Sequence, residues 1–216
     1  MYSADIKKIS RSFLPADFTV TNWETLEPYF KNLFDRDIST KEKLEQWLKD
    51  QSELEAVVNE DACWRQIKMT CDTENKSLEE AFNFFFMEIQ PKIQPFSDAL
   101  NKKLIHSPLL HELDAEKYFT YLRSIRKSIE LFREENIALQ AEAAVLQQQF
   151  GQISGAMVIS VNGEEYTIQQ AGKFLESHDR KLREDVYKQI QERRLKDKDK
   201  LDELYDKLIK LRDQEA

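Results

Sequence analysis

Apolar residues in this chain recur at steps of three and four over most of its length, which is the spacing of helices with one buried face. Leu44, Trp47, Leu48, Leu54, Val58 and Ile67 mark one such stripe, opened by Ser39 with Glu42 as a capping box and running to about Thr70. Phe82, Phe85, Phe86, Ile89, Ile93, Phe96, Leu100 and Leu104 mark a second, opened by Ser77 with Glu80. Pro91 and Pro95 fall inside it and predict a kink or a break, and Pro108 ends the region. Before these, Thr21 and Glu24 have capping-box spacing, and Pro28 predicts a short turn at 23–27 with the helix proper from Pro28 to Asp35. The first twenty residues read as extended, held to the surface by Phe13, Leu14 and Phe18.

The longest periodic stretch follows Asp114, a helix cap. Tyr118, Leu122, Ile125, Ile129, Phe132, Asn136, Leu139, Ala143, Leu146 and Phe150 form a heptad seam with Asn136 as its one polar position. It reads as one long helix packed antiparallel within its own domain or, more sharply, as a coiled-coil surface. All four glycines (151, 155, 163, 172) come next, so the architecture should change there, with Gly151 and Gly155 flanking a link. Asn162-Gly163 predicts a type I′ turn, since both of its central residues need positive φ. That turn sets Ile159 opposite Tyr166 with Met157 on the same face, and a lone hairpin must rest on helices to persist in water. Thr167 and Gln170 cap a further helix. Leu201, Leu204, Leu208 and Leu211 keep the rhythm up to Ala216 without a stop signal, which predicts a polypeptide that continues. The expected fold is mostly α, long antiparallel helices with one small β-hairpin near 157–167, and a sub-boundary near 106–114.

Composition sharpens this picture. The chain has 216 residues, 41% hydrophobic, 11% aromatic and 33% charged, enough apolar mass for a core. Only 4 glycines disfavour a turn-rich β fold and phosphate-cradling loops. The net charge of −8, with bases interleaved among acids as in Lys196-Asp197-Lys198-Asp199-Lys200, argues against nucleic acid and anionic membranes as partners. Residues 1–8 have no apolar core typical of a secretory leader. Cys63 and Cys71 lie about 12 Å apart along a continuous helix, too far for a disulfide. Two reduced cysteines predict a cytoplasmic location.

Chemistry is sparse. A helix-borne zinc site needs H-E-x-x-H, which places two imidazoles on one face and a glutamate beside the metal-bound water. His111-Glu112-Leu113-Asp114-Ala115 lacks the second histidine, and neither His106 nor His178 has a histidine partner one turn away. His178-Asp179 reads as a cap pair rather than a dyad. The cysteines lack C-x-x-C spacing. Glu79-Glu80 and Glu134-Glu135 read as solvated faces. Phe82, Phe84, Phe85, Phe86 and Met87 read as core with Phe84 off the stripe, and Trp23, Trp47 and Trp64 as core or interface. The expectation is no catalytic residue, no metal ligand and no cofactor in this chain, with the substrate-binding residues unassigned.

Several stretches resemble the N-terminal region of the oligoendopeptidase F family of thimet-oligopeptidase-type zinc metallopeptidases. They are Arg36-Asp37-Ile38-Ser39 followed by Leu44-Glu45-Gln46-Trp47-Leu48 and Ser52-Glu53-Leu54-Glu55-Ala56, then Phe85-Phe86-Met87-Glu88-Ile89-Gln90-Pro91-Lys92-Ile93. The hairpin followed by Phe174-Leu175-Glu176 and Arg180-Lys181-Leu182-Arg183 is similar to the segment before the family's catalytic half. The resemblance implies that residues 1–216 form an N-terminal helical lobe walling a channel for short peptides. The catalytic zinc lobe would then be a missing C-terminal partner, the chain alone inactive, and the isolated lobe a possible dimer. A free-standing helical scaffold binding a partner helix along the 118–150 seam is the alternative, and a hydrolase built from scattered carboxylates a third reading.

Overall fold

A computed structural model describes residues 10–215 of the chain, and the part of the predicted N-terminal strap at 1–9 lies outside the described residues. The chain is mostly α with one small hairpin, as its periodicity requires. In order it forms α1 (Trp23–Asp35), α2 (Lys41–Cys71), α3 (Lys76–Phe84), a π turn (Phe85–Ile89), α4 (Gln90–Ile105), a 3-10 turn (Leu110–Glu112) and α5 (Ala115–Leu131). Then come α6 (Asn136–Gly155), β1 (Val158–Val161), β2 (Glu164–Thr167), α7 (Ile168–Ala171), a 3-10 turn (Gly172–Glu176), α8 (Arg180–Lys196) and α9 (Lys198–Glu215).

The helix starts shift by a residue or two from the expected caps. Asn22, not Thr21, caps α1, its Oδ1 accepting from the Thr25 amide at 3.0 Å. Thr40 Oγ1 takes the Lys43 amide at the head of α2, and Asn75 Oδ1 takes the Ser77 and Leu78 amides at α3. In each case a competing Asn or Thr lies within two residues of the one first chosen. The caps at Asp114 and the Thr167–Gln170 box form as expected.

Pro28 does not break the first helix; α1 runs through it. The lost hydrogen bond is offset by Trp23, Leu26, Phe30 and Leu33, which the helix buries on one side. Pro91 and Pro95 also leave the chain helical. Pro91 falls in the first turn of α4, where no donor is needed, and the ladder is re-registered by the π turn just before it. The seam from Tyr118 to Phe150, by contrast, is not one helix. α5 ends at Leu131, Phe132 takes extended backbone, and the Arg133 guanidinium donates to the freed carbonyls of Glu130 at 2.7 Å and Phe132 at 2.8 Å. No glycine or proline announces this break, and the heptad phase carries across it by coincidence. The link expected between Gly151 and Gly155 is instead the last turns of α6.

The chain divides into two compact units, one of residues up to Trp64 with Glu88–Glu134, the other of Arg65–Met87 with Glu135 onward. The first is organised around Leu26, Phe30, Leu33, Leu44, Trp47, Leu54, Ile89, Leu100 and Leu104, all nearly inaccessible. Trp23, Phe30 and Phe96 stack at centroid distances of 5.3–5.9 Å. The C-terminus of α1 is closed by side chains: Trp47 Nε1 and Lys103 Nζ both donate to Leu33 O, at 2.8 and 3.0 Å, and Lys103 also reaches the carbonyls of Phe34 and Arg36. These are carbonyls that the helix itself cannot satisfy. Burial holds the Lys103 ammonium below its ordinary pKa.

The second unit has two clusters. Ala143 and Leu146 of α6 meet Leu204, Leu208 and Leu211 of α9, which covers the apolar stripe of the last helix and leaves Tyr205 and Ile209 exposed. The pair is antiparallel: Asn136, the polar seam position, donates from Nδ2 to the Glu215 carbonyl at 2.8 Å. The hairpin pairs in the expected register, Ile159 opposite Tyr166, with Asn162 at φ 55° and Gly163 at φ 86°. Its face of Ile159 and Val161 rests on Ala171, Val186 and Ile190.

Candidate functional site

The residues singled out for chemistry stay apart. His106 follows the end of α4, and His111 lies in the 3-10 turn with Nδ1 2.8 Å from the Pro108 carbonyl. His178 precedes Asp179, which caps α8 through the amides of Lys181 and Leu182. Cys63 and Cys71 are free and exposed on α2. Among the described residues no three of His, Cys, Asp and Glu converge to hold a metal ion, so these side chains do not offer a donor set for a catalytic zinc. Among the same residues no helix is long and apolar enough to cross a membrane. Phe82 and Phe85 are buried while Phe84 is exposed, as its off-stripe position implied. Trp64, read as core or interface, is 52% exposed and so lies outside the core.

The polar groups that do converge lie on α2 within the first unit. Asp50 is buried and held by Arg36 Nη1 at 2.5 Å and Gln46 Nε2 at 2.7 Å. Glu53 accepts the backbone amides of Ser12, Phe13 and Leu14 at 2.8, 3.0 and 2.7 Å, together with the Ser12 hydroxyl, and so pins the N-terminal strap. Desolvation raises the Glu53 carboxyl, but these backbone and hydroxyl donors outweigh it and the pKa is lowered overall. The strap is reinforced by Arg11, which donates to the Pro15 and Phe18 carbonyls, and by Phe13 and Phe18 set edge-on to Tyr29.

Two residues on, Glu55 has the opposite surroundings. Its one hydrogen bond among the described residues comes from Gln51 Nε2, at 2.8 Å to Oε1. Burial pushes its pKa up, against the smaller pull of that bond. Tyr121 of α5 lies within its field: burial first, then the Glu55 and Tyr118 charges, push the phenol up to about 12. Gln51 is 1% exposed, and its Oε1 is buried without a partner. Sequence reading missed this cluster, although a signal was present. On the stripe Leu44, Trp47, Leu48, Leu54, Val58, position 51 is where the next apolar residue belongs, and the chain has glutamine there.

Each unit carries an open groove among the described residues. Leu110, Leu113, Phe119 and Leu122, with His111 and Arg126, line a groove of about 470 Å³ in the first. Phe150, Met157, Ile168, Leu195 and Leu201, edged by Arg194 and Lys198, line one of about 380 Å³ in the second.

The fold these residues build is a mostly helical one with a small hairpin. Its family is shown directly: residues 13–132 match the Peptidase M3 N-terminal domain, and the chain belongs to that family. A protein from Bacillus anthracis strain Ames designated oligoendopeptidase F matches 96% of the chain at 23% identity with a TM-score of 0.85. A second structure designated oligoendopeptidase F matches 91% at 22% identity and 0.84, and PZ peptidase A, solved with an inhibitor, matches 93% at 21% identity and 0.83. At these identities the likeness is one of fold. The chain spans 39%, 35% and 36% of the length of those three chains. No curated protein matches it.

Proposed function

We propose that this chain serves as the non-catalytic N-terminal lobe of an oligoendopeptidase F-like zinc peptidase, walling one side of a channel that admits short peptides. The observation that carries the reading is the fold match over 96% of this chain and 39% of the B. anthracis protein, together with membership of the Peptidase M3 N-terminal domain family. In this reading residues 1–216 act as one helical lobe, 106–114 is a candidate internal boundary, and the zinc and its ligands belong to the missing C-terminal lobe. The lobe contributes substrate exclusion and positioning, and peptides are bound rather than cut by its residues. The setting is the cytoplasm, consistent with free Cys63 and Cys71.

The scaffold alternative loses its main support, because the seam proposed to bind a partner helix is divided between α5 and α6, and Ala143 and Leu146 of α6 are already covered by α9. Two measurements test the proposal. The reading frame after codon 216 should encode H-E-x-x-H. The purified chain, incubated with zinc and a quenched fluorescent peptide, should cleave no faster than buffer and retain no stoichiometric zinc after dialysis. Turnover by the chain, or one tightly held zinc per chain, would contradict the assignment.

A further inference from the structure

α5 departs from the charge pattern of α8 and α9. The chain is acidic, with a net charge of −8, and on those last helices surface lysines meet carboxylates one turn away, as Lys188 meets Glu184 and Lys207 meets Glu203. α5 carries Lys117, Arg123, Arg126 and Lys127 against Glu116 and Glu130, and Glu130 is taken by Lys127. Arg123 and Arg126 have no carboxylate partner among the described residues. Arg123 instead stands over the ring of Phe119, 5.9 Å from its centroid, and at 62% that ring is the most exposed aromatic among the described residues. Phe119, Arg123 and Arg126 are spaced by four and three, so they share one outward face of the helix, off the seam through Tyr118 and Ile125. Beside this face lies the groove of about 470 Å³. Leu113 and Leu122, both buried, form its floor, and the exposed Phe119, Arg126 and His111 stand at its edge. His111 is anchored by Nδ1, which carries the proton because it faces the Pro108 carbonyl at 2.8 Å. No aspartate or glutamate lines the groove, although Glu112, Asp114 and Glu116 are close in sequence. An apolar floor edged only by bases calls for an apolar ligand that carries acids.

We propose that this groove docks an acidic amphipathic helix of a partner protein, which lays leucine-sized side chains on Leu113, Leu122 and Phe119 and sets carboxylates against Arg123 and Arg126. The charge selects the sign of the partner, and a guanidinium that forks onto a carboxylate fixes its register as well. The form of the groove selects among acidic ligands. A small-molecule site encloses most of its ligand, whereas this groove is open to solvent and would leave much of a free organic acid in water. A side chain carried on a helix needs cover on one side only. The 119, 123, 126 spacing extends over two turns, the reach of the i, i+3 or i+4, i+7 anchors by which a helix lies in a groove. A second copy of the chain fits less well, because a two-fold α5 contact sets Arg123 and Arg126 against the same bases of the partner. The inference rests on α5 and its groove alone, and not on the lobe reading above.

Fluorescence anisotropy tests it with the full 216-residue chain and three labelled peptides of about 20 residues, long enough to be helical. The first has leucines at i, i+3 and i+7 flanked by glutamates, the second has glutamines in place of the glutamates, and the third has alanines in place of the leucines. The first should bind saturably and lose affinity as salt is added, and the other two should bind at least about tenfold more weakly. Phe119→Ser and Arg126→Gln change exposed positions, so both should keep the helical circular dichroism of the parent chain, and each should weaken the first peptide about tenfold. Leu195→Ser, at the groove of the second unit, should leave its affinity unchanged. Equal affinity for the glutamine peptide, affinity unmoved by both α5 variants, an equal loss in Leu195→Ser, or no saturable binding of the first peptide would each overturn the proposal. So would a chain that sediments as a dimer and becomes a monomer in Phe119→Ser, which would give this face to a second copy. Since binding is read rather than hydrolysis, such a failure removes the docking surface and leaves the lobe reading to the reading-frame and cleavage tests.

Discussion

Glu53 and Glu55 sit two residues apart on α2, carry the same carboxyl group, and are driven in opposite directions. Glu53 faces the strap, where three backbone amides and a hydroxyl stabilise its charge. Glu55 sits beside Gln51, where a single amide donor meets it and burial dominates. The difference shows that the donors a carboxylate meets decide its state more than its position in sequence. Glu53 holds the N-terminal segment, and Glu55, two residues on, is a largely desolvated carboxylate beside the buried Gln51.

The contrast can be broken most forcefully at Glu53. Glu53→Ala leaves three strap amides without their acceptor. It should cost about 2 kcal/mol in urea unfolding, a figure kept low because the strap amides can recover water. It should also make the bonds at 10–20 the first site of limited proteolysis. Retention of wild-type stability and protease resistance would mean that the strap is held by Phe13, Leu14 and Phe18 instead.

Glu55→Gln should act in the opposite direction, raising stability at neutral pH by about 1 kcal/mol, because it removes a desolvated, unpaired charge while keeping the Gln51 hydrogen bond. Destabilisation there would reveal a cationic partner for Glu55 in solution.

The smallest effect is the pH dependence, which distinguishes the two groups by sign. Glu55 has a folded pKa above its unfolded value, so the folded state takes up its proton first. Its contribution to stability therefore grows as pH falls through the folded pKa, and levels off below the unfolded one. Glu53 has a folded pKa below its unfolded value, so its contribution is full above the usual carboxylate range and lost as pH falls through and below that range. Stability measured from pH 7 downward should rise slightly and then drop. Glu55→Gln should flatten the rise and leave the drop, and Glu53→Gln should do the reverse. A single monotonic decline unaffected by either variant would show that neither group is shifted.

Much of the local structure was legible because periodicity and turn chemistry are local. The type I′ turn at Asn162-Gly163 dictated the hairpin register, since few residues other than these accept positive φ in succession. The stripe of Leu204, Leu208 and Leu211 required a partner, and α6 supplies it. Elements whose outcome depends on distant packing were misread. Pro28 seemed to demand a break, and the burial of Phe30 and Leu33 overrode it. The seam through Phe132 seemed continuous, yet α5 and α6 belong to different compact units. The α2 cluster was missed for a related reason: Gln51 at a core position is visible in the sequence, but its pairing with Glu55 and the approach of Tyr121 from α5 require the fold.

By itself the sequence determined that the chain is helical, where the hairpin turns, and that no H-E-x-x-H pair lies within it, because each depends on residues a few positions apart. Tertiary structure alone decided which prolines are tolerated, where the long seam divides, and that Glu53 and Glu55 part ways. Hydrogen-bond donors and burial come from segments tens of residues away, and no local pattern encodes what those segments bring to a carboxylate.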